Sequence, residues 1–138
     1  MNWIGYALIG AFAAGATAVL AKLGLAGVPS NLAMAIRTTV VLVLAWCLVV
    51  ARNEQAGMAL LTARTWVFLA LSGIATGISW MAYFKALSLA PAVRVAPIDK
   101  LSLVFTLILA WLLLGESLSW QALLGAGLMI AGAMLTLS

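Results

Sequence analysis

The 138 residues are 67% hydrophobic and 7% charged, with a net charge of +4 and a mean hydropathy of +1.24. Soluble domains carry about 25% charged residues, so the solvent for most of this chain is lipid rather than water. With no His and only Cys47, a Cys/His metal centre, a Cys–His catalytic pair and an intrachain disulfide are all excluded within one chain. The seven Lys and Arg residues are dispersed, which gives no nucleic-acid signature.

A membrane span needs roughly 20 mostly apolar residues. The first candidate, about 2–26, begins "MNWIGYALIGAFAAGATAVLA" and has no basic segment ahead of it, so it is expected to be a retained span rather than a cleaved signal. Gly27, Pro29, Ser30 and Asn31 mark a turn, and a second span is expected over 32–51, broken only by Arg37. Residues 52–64, "RNEQAGMALLTAR", read as the one clearly polar loop. A third span follows over 64–86 and a fourth over 93–114, with Arg94, Asp99 and Lys100 in its first turns. After the turn "GESLS", residues 119–138 make the fifth. Barrels would need alternating strands of about ten residues, and these are absent. The expected fold is therefore an all-α integral membrane protein of five transmembrane helices, as one domain over 1–138.

An odd number of spans puts the termini on opposite sides. Lys22, Arg37, Lys85, Arg94, Asp99 and Lys100 all fall in the half that holds the 27–31 turn, the 86–92 turn and the C-terminus. At about 1.5 Å per residue, Lys22, Arg37 and Asp99 lie roughly 8–10 Å inside their helix ends. Trp3, Trp46, Trp66, Trp111 and Trp120 lie toward the other face, as an aromatic belt; Trp80 is deeper. Lys22 and Lys85 have stems long enough to reach the headgroups, so anchoring and a place in a polar pathway are both open readings for them. Asp99 is too short to snorkel and needs a partner. Adjacent residues on one helix point about 100° apart, so the expected partner is Arg37 or Lys22 rather than Lys100, which either flanks a cavity or anchors at the surface. Pro97 leaves a carbonyl unbonded and loosens the start of that helix.

Polar residues recur on one face of three helices. Asp99, Ser102 and Thr106 stand at i, i+3 and i+7; Ser72, Thr76, Ser79 and Tyr83 at i, i+4, i+7 and i+11; Tyr6, Gly10, Ala13 and Thr17 at similar spacing. For any single Ser or Thr, a hydrogen bond within its own helix or to a neighbour is the ordinary reading. Three coherent stripes together point to a polar volume shared by helices 1, 3 and 4. The candidate pathway residues are Asp99, Arg37, Lys22, Ser102, Thr106, Ser79, Tyr83, Thr76 and Thr17, with Lys100, Lys85 and Trp80 as secondary candidates. Gly73 with Gly77, and Gly127 with Ala131, have the four-residue spacing at which helices approach closely.

The order of these features resembles a known family. "YFKALSLAPAVRVAPIDKLSLVFTLILAWLLLGESLSWQALLGAGLMIAGAMLTL", with Leu114–Gly115–Glu116, a short turn and a Gly-rich last helix, is similar to the last three helices of an EamA-type domain of the drug/metabolite transporter superfamily. "ATAVLAKLGLAGVPSNLAMAIRTTVV" resembles the first two helices of its five-helix members. Small multidrug resistance proteins are related but have four helices and an acid in helix 1, which is lacking here.

The resemblance implies a small-molecule secondary transporter with no enzymatic activity and no cofactor, in a bacterial-type inner membrane. Its unit would have ten helices, as two repeats of opposite orientation. A lone repeat would then work as a homodimer, and an antiparallel one best imitates the fused members, with helices 1, 3 and 4 lining an alternating-access cavity. The other implied roles are a component that flips lipid-linked substrates and a non-transporting accessory subunit. Discounting the embedded Arg37 and Lys100, three basic side chains on one face oppose two plus the N-terminal amine on the other, a near-balance that suits insertion in both orientations.

Overall fold

The computed structural model describes residues 2–136, which form helices joined by short turns, with no strand among the described residues. α1 runs Trp3–Gly24, α2 Ser30–Ala51, a 3-10 helix Glu54–Leu60, α3 Ala63–Leu89, α4 Ala92–Asp99 and α5 Ser102–Leu109, which passes into a π-helical turn Ala110–Leu114; α6 runs Trp120–Leu135.

The ends of these helices follow from local chemistry. Asn2 Oδ1 accepts from the Gly5 amide, Thr62 Oγ1 from the Thr65 amide and Ser119 Oγ from the Ala122 amide, each satisfying a donor that has no partner in the first turn. Pro29 and Pro91 sit immediately before α2 and α4 in extended conformations (ψ 133° and 144°), where the missing N–H costs nothing. Gly115, at φ +67°, takes the left-handed position that stops the π turn, and the Glu116 amide reaches back to the Ala110 carbonyl.

α1, α2 and α3 contain 22, 22 and 27 residues and are long and apolar enough to cross a membrane. The stretch Ala92–Leu114 has 23 residues and enough apolar character to be the fourth, but it is not one continuous helix. Lys100 and Leu101 form a turn between α4 and α5, and the amides of Leu101, Leu103 and Val104 bond three residues back, to Ile98, Lys100 and Leu101. A tight turn of this kind inside a span is a natural hinge. The break falls after Pro97 rather than at the loosened start that Pro97 suggests.

Within the fifth expected span, the described helix is the shortest of those that match a whole span. α6 has 16 residues, about 24 Å of helix, against the roughly 20 needed to cross the hydrocarbon core. Residues 137 and 138 of that expected span lie outside the described residues. The 52–64 segment is also more ordered than a loop, because Glu54–Leu60 wind into the 3-10 helix after Asn53 turns left-handed (φ 55°).

The chain divides into two compact units, Met1–Lys22 with Leu89–Ser138, and Leu23–Ser88. In the first, the buried residues are Ala18 on α1, Val95 on α4 and Ala133 on α6, and α4 packs against α6. In the second they are Leu25, Phe84 and Leu87, and α2 packs against the 3-10 helix. Apolar side chains elsewhere along the helices are largely exposed. In lipid that exposure is unremarkable, since acyl chains are as apolar as Leu.

Candidate substrate pathway

In the unit Leu23–Ser88, the dominant polar feature is Arg37. It lies on the second turn of α2, half-buried, with its guanidinium carbon 4.2 Å from the centroid of the Trp80 ring and 5.6 Å from that of Phe84. Trp80 and Phe84 are four residues apart on α3, so one face of that helix presents two rings in succession. Tyr83 meets Phe84 edge to face, with centroids 6.5 Å apart and an interplanar angle of 70°. Among the described residues, no carboxylate is ion-paired with Arg37 and no acceptor is hydrogen-bonded to it.

Magnitudes show what this stack accomplishes. A cation at a helix centre costs about 2.5–3.5 kcal/mol on insertion scales, and less toward the ends. A cation–π contact returns about 0.5–2 kcal/mol. The two rings offset part of the cost of the charge. Phe84, 2% exposed, was not singled out by its sequence. Its only signal is the i, i+4 spacing from Trp80.

In the other unit, Asp99 pairs with its neighbour: Lys100 Nζ lies 3.2 Å from Asp99 Oδ2, the one ion pair among the described residues. The expectation that Lys100 would not partner Asp99 is thereby corrected. It assumed an unbroken helix, in which adjacent side chains diverge. Here α4 ends at Asp99, and in the turn that follows the lysine stem folds back onto the carboxylate. The side chains of Lys100 and Asp99 are 52% and 34% exposed. An ion pair left uncovered in this way is tolerable inside an apolar span only where it meets water or headgroups.

Lys22 is half-buried, and its Nζ donates to the Ala90 carbonyl at 2.9 Å, tying the end of α1 to the turn that precedes α4. Lys85 is exposed on α3, and Arg94 is exposed on α4.

The hydroxyls of the stripes are used locally. Thr76 Oγ1 donates to the Ser72 carbonyl and Thr106 Oγ1 to the Ser102 carbonyl, each at 2.9 Å. Thr38 and Thr39 on α2 bond Met34 and Ala35 in the same way. This is the ordinary reading of Thr in a membrane helix, and it leaves only the hydroxyl lone pairs of Thr76 and Thr106 for any further contact. Ser79 and Ser102 are exposed, while Thr17 and Tyr83 are half-buried. Gly73, Gly77 and Gly127 have no atom within 4 Å of where a Cβ would stand. The close helix contacts that their spacing leads one to expect are not made among the described residues.

Comparison with known proteins gives a consistent result. The chain matches the EamA-like transporter family over residues 1–138. It is 47% identical over 134 residues to a Sinorhizobium sp. protein named as an uncharacterized transporter in the cobO 3′ region, a match covering 97% of this chain and 95% of that one. No solved structure matches.

Proposed function

The chain belongs to the EamA-like transporter family, a family of membrane transporters, and from that premise we propose that it is a secondary permease for a small molecule, working as a homodimer by alternating access in a bacterial-type inner membrane. The transported molecule passes the α4–α5 span of each copy. Asp99 stands at the hinge of that span. The observation that carries this reading is the uncovered Asp99–Lys100 pair at the break inside an apolar segment. A hinge with a partly exposed charge beside it is suited to alternate between two openings. The unpartnered glycine faces of α3 and α6 support the dimer, because they leave room for a second copy to approach closely. In lipid, small-residue faces associate through such contact rather than through a hydrophobic force.

The near-balance of basic residues supports an antiparallel dimer, built from copies inserted both ways. Reporter domains fused to the C-terminus test this directly: signal is expected from both compartments, and signal from one alone rules out dual insertion. The function is tested by ranking small molecules through thermal stabilisation of the purified protein, then measuring uptake of the best into proteoliposomes. Asp99→Asn is expected to lower uptake by about tenfold or more while the dimer persists on size exclusion. Unchanged uptake removes Asp99 from the pathway, and a collapsed fold makes the pair structural.

A further inference from the structure

Arg37 combines three properties that are seldom found together. Its guanidinium presents five N–H donors in a planar fork. It is held over Trp80 and Phe84, so its position is set rather than left to a mobile stem. And among the described residues it has no acceptor for its N–H donors.

Within its own unit, Arg37 has no acid close by. Glu54, the one acid in the unit that holds Arg37, lies beyond the far end of α2, 17 residues along the chain and about 25 Å away by helical rise. Lys85 follows Phe84 on α3, so this half of the unit contains two cations and no acid. A positive region with low-dielectric walls concentrates anions and repels cations. The planar donor fork of Arg matches the two oxygens of a carboxylate or phosphate, and such charge-assisted bonds are the strong ones.

We propose that Arg37, seated on Trp80 and Phe84, is the binding group for the carboxylate or phosphate of an organic anion. This assignment rests on the permease reading in one respect: it makes the transported molecule an anion. The aromatic pair provides the orientation, and the guanidinium edge provides the bonds. The same chemistry would accept the phosphate of a lipid headgroup, so the source of the anion has to be distinguished by experiment.

The test uses the full chain purified in an uncharged maltoside detergent, with binding followed by thermal unfolding and by calorimetric titration. The probes are benzoate, its neutral isostere benzamide, the cation benzylamine, inorganic phosphate and dihexanoylphosphatidylglycerol. Benzoate or phosphate is expected to stabilise the protein while benzamide and benzylamine do not. Arg37→Gln is expected to weaken anion binding by about tenfold or more, and Arg37→Lys by less, because the charge survives without the fork. Trp80→Phe keeps a ring under the guanidinium and is expected to retain binding, which keeps the test valid if Arg37→Gln fails to fold. Stabilisation by the short-chain lipid alone, lost in Arg37→Gln or Arg37→Lys, upholds the anion site and makes its ligand a headgroup.

Three results overturn the proposal: no response to any anion, an anion response undiminished in the Arg37 variants, or an equal response to benzylamine. Proteoliposome flux separates this failure from that of the permease reading. Uptake of a cation or neutral molecule without anion binding leaves a permease but removes the site. Anion binding through Arg37 without flux of any screened compound leaves the site but removes the permease.

Discussion

Arg37 and Asp99 pose the same physical problem, a formal charge inside an apolar span, and the two regions meet it by opposite means. Arg37 is accommodated by packing: two aromatic rings from the neighbouring helix hold it, one of them among the most deeply buried side chains described. Asp99 is accommodated by a defect: the helix stops, turns, and lets the adjacent lysine close onto the carboxylate. The first arrangement is a tertiary contact that fails if the helices separate. The second is local and survives movement of the helices around it. A fixed charge suits recognition, and a charge at a hinge suits motion.

The contrast is broken most severely at Phe84. It is 2% exposed and sits beneath Arg37, so Phe84→Ala opens a cavity and removes one ring from the stack. Truncating a buried Phe costs on the order of 3–5 kcal/mol, and a loss of that size is expected in denaturant or detergent unfolding of the purified protein. A loss under about 1 kcal/mol would mean that lipid refills the gap and that Trp80 alone holds the guanidinium.

A smaller effect is expected at the hinge. Lys100→Gln removes the partner of Asp99, yet both side chains are partly uncovered, and exposed pairs are worth about 0–1 kcal/mol. Unfolding stability is accordingly expected to fall by no more than about 1 kcal/mol. A loss of several kcal/mol would show that the pair is sealed from water, because breaking a buried pair strands a charge. The two regions would then be alike in kind.

How much of this was legible in the sequence depends on the range of the interaction. The first four spans could be read because about 20 apolar residues in a row have few alternatives, and Pro29, Pro91 and Gly115 mark their ends by restricting the backbone locally. The described helix α6 covers 16 residues of the expected 119–138, because an apolar run alone does not mark a helix boundary to the residue. Arg37 and Trp80 were both visible as candidates, but their contact joins two helices and no spacing within either one encodes it. That Lys100 pairs with Asp99 is hidden from the sequence for the converse reason. The periodic rule for adjacent residues is sound within a helix, but it does not apply where Lys100 and Leu101 leave the helix. Pro97 hinted at weakness, but not at a turn beyond Asp99.

The stripes provide the most delicate test. Thr106 was placed on a polar face by its spacing from Asp99 and Ser102, yet its hydroxyl bonds the Ser102 carbonyl of its own helix. That carbonyl already has the helical amide bond open to it, so the hydroxyl adds little to stability, and Thr at such positions can bend a helix slightly. Thr106→Val keeps the branched shape and removes only the oxygen. Its effect on unfolding is expected to stay within about 0.5 kcal/mol, in the range of substitutions that break no specific feature. Uptake is then the more informative readout. If it also stays level, the stripe below the hinge is helix chemistry and the polar pathway narrows to Asp99. If uptake falls while stability holds, the lone pairs of Thr106 meet the passing molecule, and the local charge at the hinge extends into a polar track.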